Sequence, residues 1–298
     1  MLAVRIAVLG LVSVTAQAQV FSNLTTPLPL PRGSTLVIGF LGGWDRWDDP
    51  NRGVRKLALK LRDEDPGVFA EAMSNHRQKL ALELIRRAFD WNQNGRLDPE
   101  ERAEARIILY GQSLGGGAAV KVAHRLQTLN IPVLLTVQVD SVSLHDDVIP
   151  ANVRAAANLF QRDGPPFMGR KCIRAEDPSR TRILGNFQYH YRSKRIDMSS
   201  ASWKRKNLQG AHAKMELDPE VWARVDSFIQ DAIAGGRTSC GRQQRRHPDD
   251  SPRGRGRSSR SKLSDRQGFD NRQSHDSCRR AQVIDSAAIA WWPGSCPV

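Results

Sequence analysis

Residues 107–117 read Ile-Ile-Leu-Tyr-Gly-Gln-Ser-Leu-Gly-Gly-Gly, an apolar run that breaks into glycines around a single serine, Ser113. The apolar residues 107–110 are typical of a buried strand, and small and apolar residues recur at helical spacing over 118–129. This stretch therefore predicts a strand that turns directly into a helix, and glycine permits so sharp a turn. Because such a turn exposes the serine hydroxyl, Ser113 is a candidate nucleophile.

The pattern Gly111-Gln112-Ser113-Leu114-Gly115 resembles the nucleophile elbow of the α/β-hydrolase superfamily, especially its serine esterases and lipases. The resemblance covers about Thr35 to Gly236. It implies a three-layer α/β fold, with a mostly parallel sheet and helices on both faces. It also implies a triad in the order serine, acid, histidine, and hydrolysis of a carboxylic ester or thioester through an acyl-enzyme. The alternative is a glycine-rich turn that carries an uninvolved serine.

The strand ends supply candidates for the rest of the triad, since catalytic groups in parallel sheets gather at the carboxyl ends of strands. Residues 131–139 predict a buried strand that ends at Asp140, the first choice for the acid, with Asp197 as the alternative. His212 lies in a predicted loop before a helix at 217–233 and is the candidate base.

By the resemblance, two backbone N–H groups hold the oxyanion. One belongs to Leu114, directly after the nucleophile. The other belongs to Leu41 or Gly42, in the loop that follows a predicted strand at 35–40.

A second motif precedes the nucleophile strand. Residues 90–101 match the EF-hand calcium-loop pattern D-x-[DN]-x-[DN]-G-x5-E at every position. The expected oxygen ligands are the side chains of Asp90, Asn92 and Asn94, the carbonyl of Arg96, Asp98 through water, and bidentate Glu101. Because the helix that follows is short and no second loop exists to pair with, the pattern favours a structural Ca²⁺ site. The alternative is a polar turn that binds no metal.

The two ends of the chain differ in composition from its middle. Residues 1–18 contain a charged start, an apolar run and Ala16-Gln17-Ala18, which predict a signal peptide and a secreted or periplasmic protein. A Pro-rich lead at 19–34 precedes the predicted domain at 35–236. Residues 237–298 hold 13 Lys and Arg against 6 Asp, half of the formal net charge of +14, and predict a basic, disordered tail.

The tail could contact a polyanion, although no specific nucleic-acid motif is present, and a solvated tail without a ligand is the alternative. Cys172 lies in the predicted domain, and an exported protein could pair it with Cys240, but the sequence does not choose the disulfide.

The calcium motif and the basic tail also allow a rival function. This is a calcium-binding exported module with an inactive hydrolase-like core, whose basic tail contacts a polyanion.

Hydrophobic periodicity gives the remaining elements. It predicts helices at 51–62, 76–89 and 152–162, strands at 67–73 and 181–191, and an irregular segment at 164–178 that could form a wall over the site. The expected substrate is a small-molecule or lipid ester, and the sequence leaves its acyl chain, its alcohol and the oligomeric state open.

Overall fold

The structure is a computed structural model that describes residues 19–43, 45–164, 166–243 and 282–283. Its strands are β1 Thr35–Leu41, β2 Val68–Ser74, β3 Ile107–Gln112, β4 Val133–Val139, β5 Val148–Ile149, β6 Val153–Gln161, β7 Arg174–Ala175, β8 Arg182–Tyr189 and β9 Gln282–Val283. Seven of these described strands form one sheet in the order β2-β1-β3-β4-β6-β8-β9, and β5 pairs with β7. All of these pairings are parallel.

Helices cover both faces of this sheet. They are α1 Gly53–Glu64, α2 Gln78–Phe89, α3 Pro99–Glu104, α4 Leu114–Thr128, α5 Trp203–Leu208, α6 Gly210–Leu217 and α7 Pro219–Gln243. One core contains Leu57 of α1 and Val225 of α7. The other core contains Leu84 of α2 and Ala119 of α4. The predicted three-layer α/β fold with a mostly parallel sheet is therefore confirmed.

The strand order reverses next to Ser113. From β1 the chain first adds β2 on one side and then crosses to add β3 on the other side. In an open parallel sheet, ligands bind where the strand order reverses, at the carboxyl ends of the strands. Here that point lies between β1, which ends just before Gly42, and β3, which ends just before Ser113.

The predicted helix at 152–162 is wrong, because residues 153–161 form β6. Alanine at 155–157 favours a helix by intrinsic propensity. The segment nevertheless pairs with β4 and β8 on its two sides and is buried along almost its whole length. A strand covered on both faces shows no alternation of apolar and polar residues, so its pattern does not distinguish it from a buried helix.

The predicted loop around His212 is also wrong, since His212 lies in α6. Its eight residues are too few to show a clear helical repeat.

The predicted end of the folded domain at Gly236 falls inside α7, which continues to Gln243. Further along the chain, Gln282–Val283 pair with β8. The rest of the predicted tail and the predicted signal peptide at 1–18 lie outside the described residues.

The Pro-rich lead packs against the domain. Leu30 is buried, and its N–H donates to the carbonyl of Ala88. Cys172 is disulfide-bonded, and the side chains of the other three cysteines are not described. Within the described ranges, none of the helices has both the length and the apolar character that a bilayer crossing needs.

Candidate active site

Ser113 occupies a sharp turn between β3 and α4, with φ 57° and ψ −123°. A positive φ is unusual for a residue with a side chain and costs on the order of 1–3 kcal/mol, so the surrounding structure must hold it. Two glycines make this possible. A Cβ on Gly111 would overlap the carbonyl oxygen of Gly115, and a Cβ on Gly115 would overlap the carbonyl oxygen of Phe40 in β1. The turn therefore requires glycine at both positions.

The structure brings Ser113, His212 and Asp140 together. The Ser113 Oγ lies 3.0 Å from His212 Nε2, and His212 Nδ1 lies 2.6 Å from Asp140 Oδ2. Because a carboxylate only accepts hydrogen bonds, Nδ1 carries the proton and Nε2 is left to accept the serine O–H. All three side chains are buried, with 6 % of Ser113, 4 % of His212 and none of Asp140 exposed.

Asp140 is held by its neighbours on β6. Its N–H donates to the carbonyl of Leu159 at 2.7 Å. Its Oδ1 accepts the N–H of Gln161 at 3.1 Å, and its Oδ2 accepts the Gln161 side-chain amide at 2.9 Å. That same amide donates to the carbonyl of Phe167, whose ring centroid lies 5.6 Å from that of His212. Part of the segment predicted to form a wall at 164–178 therefore covers the histidine.

The alternative acid, Asp197, has a different environment. It is exposed, and it accepts the N–H of Ser199 at 2.8 Å and the Ser199 hydroxyl at 3.1 Å. These hydrogen bonds lower the pKa of the Asp197 carboxyl. The structure thus brings Asp140, and not Asp197, to His212.

The candidate oxyanion donors come from the start of α4 and the end of β1. Leu114 is the first residue of α4, where an N–H has no acceptor within the helix. Gly42 packs against the nucleophile, since a Cβ placed on it would lie 2.8 Å from the Cβ of Ser113. Leu41 is the last residue of β1, where it is paired with Ser74 of β2. This arrangement favours Gly42 over Leu41 as the second donor.

Gln112 was missed by the sequence analysis. Its buried side chain has Nε2 at 3.3 Å from His212 Nε2. Its Oε1 lies against Gly42 so closely that a Cβ there would overlap it. Gln112 therefore lies between the proposed base and the proposed oxyanion donor. The only sequence signal was its place directly before the serine.

A second group behind the elbow was also missed. The Ser141 hydroxyl lies within hydrogen-bond reach of two acceptors, the carbonyl of Ser113 at 3.1 Å and the carboxylate of Asp146. Asp146 is 1 % exposed and pairs with Arg170 at 2.7 Å. These contacts support the backbone of the proposed nucleophile.

The loop at 90–101 folds around its own carboxylates. Asp90 accepts the N–H groups of Asn94 at 3.0 Å and Gly95 at 2.9 Å. Glu101 accepts those of Asn92 at 3.1 Å and Asp98 at 2.9 Å. Asp90 and Glu101 are buried, and Gly95 has the positive φ of 87° that the bend needs.

Three of the remaining ligand positions, Asn92, Asn94 and Arg96, have exposed side chains, although the expected ligand at Arg96 is its carbonyl. The side-chain amides of Asn92 and Asn94 both donate to Asp98, at 2.8 and 3.0 Å. The Arg96 side chain is exposed and lies 3.4 Å from Asp98. Among the described residues, no group of three or more His, Cys, Asp or Glu is arranged to hold a metal ion. The calcium site therefore stays a prediction.

Comparison with protein-family models and with curated proteins gives no match to this chain. The function is therefore proposed from the geometry of the site and the resemblance of its elbow.

Proposed function

We propose that this protein is a serine hydrolase that cleaves a carboxylic ester or thioester. The observation that carries the proposal is the continuous hydrogen-bonded chain from Ser113 through His212 to Asp140, at 3.0 and 2.6 Å. A nucleophile within reach of a base that a third group orients is the signature of covalent catalysis. The resemblance of the elbow to that of α/β-hydrolases supports the same reaction.

Each group of the site has a defined part in this reaction. His212 Nε2 removes the Ser113 proton as Oγ attacks the substrate carbonyl, and Asp140 stabilises the imidazolium that forms. The N–H groups of Leu114 and Gly42 hold the negative oxygen of the tetrahedral intermediate. His212 then gives its proton to the leaving alcohol or thiol as the acyl-enzyme forms. A water molecule, deprotonated by His212, then attacks the acyl carbon. His212 returns this proton to Ser113 Oγ as the acyl–Oγ bond breaks and the acid leaves.

Apolar side chains beside the triad favour a substrate with an apolar part. Leu114 is 39 % exposed next to the nucleophile, and Phe167, against His212, is 37 % exposed. Contact with an apolar acyl or alcohol group would remove both from water, worth about 25 cal/mol per Å² of apolar surface covered. Small-molecule and lipid esters both remain within this class.

Ester turnover tests the proposal. The substrates are p-nitrophenyl esters of increasing acyl length. We expect the purified wild-type protein to hydrolyse them and the Ser113→Ala variant to lose this activity. Turnover by Ser113→Ala equal to that of the wild type, with both proteins folded by circular dichroism, contradicts the assignment. The series also identifies the preferred acyl length.

A structural Ca²⁺ site at 90–101 is a second proposal, made independently of the first. It is supported by two buried carboxylates, Asp90 and Glu101, in one short loop whose side chains offer the oxygen donors that Ca²⁺ prefers. The Asn92 and Asn94 side chains and the Arg96 carbonyl would complete the set, with Asp98 acting through water. When bound, the ion would neutralise the carboxylates and tie α2 to the start of α3.

The rival function, a calcium-binding module with an inactive core, predicts no ester turnover. The hydrogen bond between Ser113 and His212 favours the hydrolase. Export of the protein and contact of its tail with a polyanion remain proposals, since residues 1–18 and most of the tail lie outside the described structure.

A further inference from the structure

Five charged side chains join the β1–α1 loop to helices α5 and α6, and we call them the clasp: Asp45, Asp49, Arg52, Arg205 and Glu216. They are largely buried, with side-chain exposures of 3 % for Glu216, 10 % for Arg52, 14 % for Asp45 and Arg205, and 25 % for Asp49. Three carboxylates thus enclose two guanidinium groups, which gives every charge an opposite partner.

Arg205 lies at the centre of the clasp. Its Nη2 donates to both carboxylate oxygens of Asp45, at 2.6 and 2.7 Å, and its Nη1 donates to Glu216. Arg52 donates to the two oxygens of Glu216 at 3.1 and 3.2 Å, and to Asp49 at 2.7 Å. Arg205 therefore connects two segments of the chain that are 160 residues apart.

Each end of this connection leads directly to the candidate active site. The N–H of Asp45 donates to the carbonyl of Gly42 at 3.0 Å, so Asp45 closes the turn that contains the proposed oxyanion donor. Glu216 lies four residues after His212 in α6, and residues four apart share one face of a helix. The path from Gly42 to His212 thus runs through Asp45, Arg205 and Glu216.

The two helices on this path need such an anchor. α5 has six residues and α6 has eight. Isolated helices of this length are not stable in water, so packing and pairing must fix their position. A buried ion pair is also rarely the best way to stabilise a fold, because apolar residues of similar volume often do as well. The need to hold α5 and α6 in one position explains these buried ion pairs better than a contribution to the stability of the fold does.

We propose that Arg205 is a positioning residue, which holds the Gly42 turn and the His212 helix in the mutual arrangement that the reaction needs. The inference rests on the proposed hydrolase function. Without Arg205, the base and the oxyanion donor would shift relative to each other. A displacement of about 1 Å in a catalytic group can lower the rate by about a hundredfold.

Two variants test this role. Arg205→Met removes the guanidinium and keeps much of the volume, and Asp45→Asn is a milder change that leaves Arg205 paired with Glu216. For a p-nitrophenyl ester, we expect kcat to fall about ten- to a hundredfold in Arg205→Met and less in Asp45→Asn, with KM changed less than about threefold, because transition-state contacts are lost.

The matched control is Arg62→Met. Arg62 lies in α1 and pairs at 2.8 Å with the buried carboxylate of Glu71. Glu71 lies in β2, at the edge of the described sheet. This variant should lose stability as the clasp variants do and keep kcat within about twofold, because its lost ion pair does not touch the site. A fall in kcat of Arg62→Met equal to that of Arg205→Met would show a general effect of lost stability and overturn the inference.

The double variant Asp45→Asn/Arg205→Met sharpens the test. If both residues act through one contact, its kcat equals that of Arg205→Met alone. A double variant whose kcat falls by the product of the two single-variant factors contradicts the proposed path. If turnover depends on Ser113 but both clasp variants keep the wild-type kcat, this inference alone is wrong. If the wild-type protein shows no Ser113-dependent turnover, the proposed function and this inference are both wrong.

Discussion

His212 Nδ1 lies 2.6 Å from Asp140 Oδ2, although the two residues are 72 positions apart. Asp140 follows the carboxyl end of β4 and has a φ of 44°, a left-handed conformation that is unusual for a residue other than glycine. The short helix α6 brings His212 to the same edge of the sheet. This contact fixes which ring nitrogen carries the proton, and therefore whether His212 can act as a base towards Ser113.

Asp140→Asn is expected to lower kcat by on the order of 10³- to 10⁴-fold. The new amide can donate to Nδ1, which would then hold no proton, and Nε2–H could no longer accept the serine proton. Steady-state kinetics with an ester measures the effect. Asp197→Asn is the control and should keep kcat within about twofold, as surface substitutions do. The opposite result, loss in Asp197→Asn and activity in Asp140→Asn, would reassign the acid.

Gln112→Glu is expected to change the pH dependence. A carboxylate in place of the amide 3.3 Å from His212 Nε2 would favour the protonated imidazole. Because only the neutral ring accepts the serine proton, the acid limb of kcat/KM against pH should move up by about one unit. Gln112→Leu introduces no charge and should leave the limb close to its wild-type position. If the acid limb of kcat/KM against pH is unchanged in Gln112→Glu, the side chain at position 112 does not lie next to His212 in solution.

Gly115→Ala is expected to lower stability by about 3 kcal/mol or more, because the new methyl group would overlap the backbone of Phe40 and neither side can move easily. For a domain of this size that lowers Tm by on the order of 10 °C. Differential scanning calorimetry provides the measurement. Gly164→Ala is the control, since a Cβ at Gly164 meets no atom within 4 Å. Equal Tm values for the two variants would show that the turn is looser than the structure indicates.

The sequence predicts much of this fold because its strongest signals are local. The buried runs of β1, β3 and β4 and the elbow glycines each lie within a few residues, and the strand ends then suggest Asp140. β6 was missed because burial on both faces removes the alternation of a strand. The position of His212 in the chain suggested it as the candidate base, but the helix that contains it was not predicted.

Other parts of the site depend on contacts that no local pattern contains. Arg205 and Asp45 meet across 160 positions, and neither residue lies in a motif. Gln112 occupies the variable position of the elbow, so its contact with His212 follows only from the fold. Such partners require the tertiary structure, because sequence periodicity reports which face is buried and not what it touches.

Calcium is expected to raise the Tm of the wild-type protein. An ion that binds only the folded state stabilises it by about 2.7 kcal/mol at a hundred times its Kd. Glu101→Gln should abolish this rise, because Glu101 is the expected bidentate ligand, whereas Glu100→Gln, at the exposed neighbouring position, should keep it. Thermal unfolding with millimolar CaCl₂ or with EDTA measures the difference. Equal Tm values under both conditions in the wild type would reject the site.

The central claim is that His212 activates Ser113 for attack on an acyl carbonyl. Labelling by an alkyl fluorophosphonate, followed by intact mass spectrometry, tests it most directly, because the reagent reacts with an activated serine and needs no knowledge of the natural substrate. We predict one phosphonyl adduct on the wild-type protein at Ser113, none on Ser113→Ala, and much slower labelling of His212→Ala. Folded wild-type protein that stays unlabelled, or a Ser113→Ala variant that is labelled as fast as the wild type, would contradict the account.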